Sequence, residues 1–111
     1  MAYDERLAER IRAVLGDRID VDERRMFGGV AFMVNGNMCC GVVGEELVVR
    51  LGPEDAEAAL GEPGTRPFDF TGRPMRGFLF VGPDALAEDS DLDRWVGRAE
   101  EFAAGLPPKA P

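Results

Sequence analysis

The sequence predicts an α+β fold: two layers in the order α-β(3)-α-β(2)-α, with a five-stranded, mostly antiparallel sheet and helices on one face. Three observations predict it. Arg24 to Leu51, RRMFGGVAFMVNGNMCCGVVGEELVVRL, reads as three apolar runs divided by two tight turns. Both ends of the chain carry an amphipathic helical stripe, and a Pro-led helix and a second pair of apolar runs lie between them. The 111 residues fit a single domain, 1–111.

Asp4 to Leu15 is the first helix. Leu7, Ile11, Val14 and Leu15 make one stripe, Asp4 and Glu5 suit the N-terminus, and Gly16 ends it. Asp17 to Glu23 reads as a polar connection. The first strand follows and runs to Val34. Asn35-Gly36 between two apolar runs then marks a hairpin, because a type I′ turn needs positive φ at both central residues. Gly44-Glu45 supplies the next turn, and Leu47 to Leu51 alternates in part, with Leu47, Val49 and Leu51 on one face and Val48 and Arg50 on the other. Gly28-Gly29 falls inside the expected first strand. A bulge or close packing approach is favoured there over a side-chain-free platform for a ligand or partner.

Gly52-Pro53 stops the sheet and opens a second helix that ends by Gly61. Arg66 to Phe70 and Met75 to Val81, joined through Thr71-Gly72-Arg73-Pro74, read as a second hairpin with Phe68 and Phe70 on one face. The last helix is expected from about Asp91 to Ala104, capped by Ser90 or Asp91. Leu92, Trp95, Val96, Ala99, Phe102 and Ala103 form its stripe. Gly105 and Pro107-Pro108 end it, and the tail is expected to fray. Apolar residues stand on both faces of the first strand, with Phe27, Ala31 and Met33 on one and Met26, Val30, Phe32 and Val34 on the other. Three modest helices are not expected to cover both, which points to a dimer or partner surface.

The formal charge is −8, and residues 1–23, 24–80 and 81–111 contribute −3, −1 and −4. That balance argues against unaided nucleic-acid binding, which rests on neutralising phosphates with Lys and Arg. No run approaches the about 20 apolar residues of a membrane span. MAYDERLAER lacks the features of a signal peptide, so a cytoplasmic protein is expected.

With no histidine in the chain, the usual triads and His-based zinc sites are excluded. Cys39 and Cys40 are adjacent, so in a regular strand they point to opposite faces, and two buried, reduced, unreactive thiols are expected. No phosphate loop is present. Glu88, Asp89, Asp91 and Asp93 lack the glycine and terminal glutamate of a calcium loop. The concentrated positive charge is Arg24-Arg25 and Arg73 with Arg76. With Phe27, Gly28 and Gly29 these form the candidate partner or anion surface, provided the strands that carry them lie together; ordinary salt bridges to the many carboxylates are the plainer alternative. No catalytic residues, cofactor or metal are assigned. A protein partner or a homodimer is expected. A small enzyme or ligand carrier using a cysteine or the arginines is the alternative.

RMFGGVAFMVNGNMCCGVV, then LVVRLGPE, then DFTGRPMRGFLFV, resembles the N-terminal domain of the TfoX/Sxy family of bacterial competence regulators. Met26-Phe27-Gly28-Gly29 and Phe70 to Phe78 are its most specific parts, and the likeness covers nearly the whole chain. The resemblance implies the α-β(3)-α-β(2)-α domain read from the residues, with no catalytic residues or cofactor. Family members carry a second, C-terminal domain of helix-hairpin-helix character, and the present sequence stops at Pro111. The resemblance therefore implies a stand-alone interaction or regulatory module, and the charge balance above leads us to expect no DNA binding by this chain alone.

Overall fold

A computed structural model describes residues 3–16, 18–26, 28–69 and 75–108. Helix α1 is Glu5–Leu15, and Asp4 caps it by accepting from the N–H groups of Arg6 and Leu7. Four strands follow: β1 Val21–Met26, β2 Gly29–Val34, β3 Asn37–Val43 and β4 Glu46–Arg50. Helix α2 is Pro53–Ala59, strands β5 and β6 are Thr65–Pro67 and Phe78–Val81, a single 3₁₀ turn spans Pro83–Leu86, and helix α3 is Asp89–Ala104. The sheet is antiparallel throughout, in the order β1-β2-β3-β4-β6-β5.

The class is the one the sequence predicts, with one more strand. Val21 to Glu23 of the expected polar connection, together with Arg24 to Met26, form β1, and β2 begins at Gly29, which pairs with Met26. VDERRM has no apolar alternation because β1 is an edge strand whose central residues are all exposed. Pairing with β2 makes it a strand, and periodicity carries no trace of that. The second hairpin is shorter than expected. Phe68 lies beyond β5, although its carbonyl still accepts from the Met75 N–H at 2.8 Å. The predicted turn at 71–74 lies outside the described residues. Helix α3 begins earlier than expected: Glu88 holds the N-cap position with no side-chain capping bond, so Ser90 and Asp91 lie inside the first turn.

The helices cover one sheet face. Leu7, Ile11, Leu92, Trp95, Val96 and Ala99 pack with Val30, Phe32, Val34, Leu47, Val49 and Val81 in the main core. The opposite face carries a second cluster of Ala31, Met33, Met38, Val48, Phe68 and Phe80, each at most 8% exposed. Phe68 folds back against Phe80, ring centroids 4.8 Å apart. The uncovered apolar face that the strands suggested is therefore closed within the chain. Met26 joins this second cluster with Ala31 and Met33, because it lies on β1, opposite Gly29 of β2, and the alternation assumed for one long strand does not hold. The tail is tied at its start, where the Asn37 side chain donates to the Pro107 carbonyl at 2.9 Å; residues 109–111 lie outside the described residues.

Candidate interaction surface

Tight backbone geometry fixes the β1–β2–β3 corner. Gly28 has φ +74°, in the left-handed region. Gly29 pairs with Met26, and a Cβ built on it would stand 1.9 Å from the Val42 carbonyl oxygen. Gly41 repeats the relation from β3, with its Cβ position 2.6 Å from the Val30 carbonyl oxygen. Gly28-Gly29 is thus a turn followed by a close backbone approach between strands, neither a mid-strand bulge nor an open platform.

The bulge lies farther along, between β2 and β3. Phe32 pairs with Cys40 and Met33 with Met38, which leaves Cys39 as the extra residue. It turns both cysteines toward the helical face, where both are fully buried in the main core. The expectation of opposite faces, sound for a regular strand, is corrected by that one inserted residue. Both thiols are free. The Cys40 thiol is pushed well above its ordinary range, first by a hydrogen bond with the Cys39 side chain and then by burial.

The arginines are not gathered into one site. Arg24 and Arg25 lie on β1 at one end of the sheet, and Arg76 precedes β6 near the other, with β2, β3 and β4 between. Four strand spacings amount to about 19 Å. Phe27 and Arg73 lie outside the described residues. Arg76 contributes to a groove of about 250 Å³ whose lining includes Ala56, Leu60, Met75, Phe78 and the carboxylate-bearing Glu57.

Most other arginines hold carboxylates. Arg12 clasps Glu23 through Nε and Nη2 at 2.7 and 2.8 Å, tying α1 to β1 and holding the Glu23 carboxyl below its usual range. Arg18 joins Asp20 to Glu100. Arg94 and Arg98 both reach Glu62, and Arg94 foremost lowers its carboxyl. Arg66 pairs with Glu46 and lies over the Phe80 ring, 4.2 Å from its centroid. Arg24, Arg25 and Arg76 have no carboxylate at ion-pair distance among the described residues.

Those two free cations of β1 stand on an open sheet edge. The Asn35 N–H donates to the Asp20 carbonyl at 3.0 Å, one step before the β1–β2 register begins. Alternation along an antiparallel ladder then turns Asp22, Arg24 and Met26 toward β2 and aims the N–H and C=O of Val21, Glu23 and Arg25 outward. The opposite edge, β5, is three residues long and ends in Pro67, which has no N–H to offer. The pairing capacity of β1 went unread in the sequence, although the Met26–Gly29 corner with its glycine turn was a signal for it.

No group of three or more His, Cys, Asp or Glu among the described residues is placed to hold a metal, and no helix is long and apolar enough to cross a membrane. Fold and surface together define a small two-layer α+β domain with one open, charged strand edge. The chain belongs to the TfoX N-terminal domain family, whose model matches residues 13–103. Comparison with curated proteins and with solved structures finds no match.

Proposed function

We propose that this domain is a non-catalytic interaction module of regulatory kind, working in the cytoplasm as the N-terminal domains of bacterial competence regulators are expected to, and that its partner is a protein. The observation that carries this reading is the β1 edge: a six-residue strand whose Val21, Glu23 and Arg25 aim backbone donors and acceptors outward, bearing Arg24 and Arg25 with no carboxylate at ion-pair distance among the described residues. Edge pairing draws affinity from main-chain hydrogen bonds and selectivity from the side chains that alternate along the strand. The net charge of −8 weighs against duplex DNA as the direct partner, since the field of the whole molecule repels it. Binding measured with nuclease present, comparing the wild type with Arg24→Glu, tests the reading. A protein retained by the wild type and lost by the variant is expected. Tight, steeply salt-dependent binding of the purified domain to duplex DNA would overturn it.

A further inference from the structure

The sequence of β1 is complementary to itself. Paired antiparallel with a second copy of itself, Val-Asp-Glu-Arg-Arg-Met can set Asp22 opposite Arg24 twice. Resting on the interaction reading above, we propose that the occupant of this edge is a second copy of the chain. The two β1 strands pair antiparallel about a two-fold axis through Glu23, so that the sheets of two molecules become one.

Backbone chemistry restricts the register. In an antiparallel ladder, residues that face outward must stand opposite residues that face outward. Val21, Glu23 and Arg25 are the outward set, so Glu23 lies opposite the partner's Glu23 and Val21 opposite the partner's Arg25. This register uses all three outward residues and forms about six backbone hydrogen bonds. The inward set then meets as Asp22 opposite the partner's Arg24, twice by symmetry. Glu23 also lies diagonal to the partner's Arg25, within reach of long side chains.

Placing two Glu23 carboxylates at the axis is tolerable because each is already held by its own Arg12 at 2.7 Å. The competing two-fold through Arg24 also sets Glu23 opposite the partner's Arg25 twice, but it opposes two Arg24 side chains at the axis, leaves Asp22 facing the partner's Met26 and engages only Glu23 and Arg25 of the outward set. The two-fold through Glu23 is favoured because it engages all three outward residues. The contact is small, so the dimer is weak and reversible.

Sedimentation of the purified chain from about 10 μM to about 1 mM covers the range for such a small contact. A monomer–dimer equilibrium is expected. Asp22→Arg and Arg24→Asp should each weaken it by about tenfold, because each sets like charges opposite one another twice. The double variant, Asp22→Arg with Arg24→Asp, should restore it. Under mild oxidation Glu23→Cys should cross-link to itself, because residues paired across the axis lie about 5.5 Å apart and a disulfide spans that distance. Arg25→Cys should not, since its copies are about 14 Å apart. A monomer at every concentration overturns the dimer, as does a double variant no better than the singles or cross-linking through residue 25 in preference to 23. A monomer whose edge still captures another protein, sensitive to Arg24→Glu, refutes the self-pairing and leaves the interaction reading standing. A monomer whose edge captures nothing refutes both.

Discussion

Replacing Gly29 by alanine separates two reasons for a glycine that stand side by side in this chain. The added Cβ would meet the Val42 carbonyl oxygen at 1.9 Å, its carbon at 3.0 Å and the Val43 Cα at 3.3 Å, all backbone atoms of β3 that cannot rotate away. An ordinary close C···O contact is about 3.3 Å, so β2 and β3 must part by more than 1 Å at this corner. Overpacking of this kind costs about 1–3 kcal/mol, and loss of one or two neighbouring ladder hydrogen bonds adds about 1 kcal/mol each. A total near 3 kcal/mol is a large share of the roughly 5–15 kcal/mol available to a domain of this size. Gly28→Ala is the internal control. No atom lies within 4 Å of its Cβ position, so only the positive φ of +74° opposes the change, at about 1–2 kcal/mol. Thermal melts followed by circular dichroism should place Gly29→Ala roughly 12 °C or more below the wild type and Gly28→Ala roughly 4–8 °C below, at about 4 °C per kcal/mol. Gly28→Asn should recover part of its loss, because asparagine tolerates the left-handed region. A Gly29→Ala protein that melts above Gly28→Ala would refute the close-approach account of this corner.

Three further outcomes can be checked. Gly36→Val should lower stability by about 1–2 kcal/mol in urea titration, because Asn35 and Gly36 have φ of 52° and 81° in the hairpin turn and a β-branched residue is poor there. The Glu62 carboxyl is lowered in the fold by Arg94 and Arg98. Its stabilisation is therefore complete above the ordinary glutamate range near 4.3 and is lost as pH falls below that through its folded value. Glu62→Gln should cost about 1 kcal/mol at neutral pH, given the partial exposure of the bridges, and the difference from wild type should vanish in acid melts. Cys39 and Cys40 should react with a thiol reagent only after denaturation, since both are buried and the Cys40 thiolate is disfavoured; rapid labelling of either in the native protein contradicts their placement in the core.

The sequence by itself determined what local chemistry governs. The stripe of Leu7, Ile11 and Leu15, the Asp4 cap, the Asn35-Gly36 turn, the Pro53 helix start and the Leu47, Val49, Leu51 alternation all stand where the residues put them. Each is decided within a few residues by dihedral preference or by burial on one face. RMFGGVAFMVNG and DFTGRPMRGFLFV likewise carried the family. Only the tertiary structure decided what depends on a neighbouring strand. VDERRM is a strand because β2 supplies hydrogen-bond partners, whatever its own apolarity. The two cysteines share a face because one residue more stands on β3 than on β2 opposite it. Arg24 and Arg76 are held apart because β6 pairs with β4, at the far side of the sheet from β1. Strand order and register are set by contacts between residues distant along the chain, and a local reading of composition or periodicity holds no record of them.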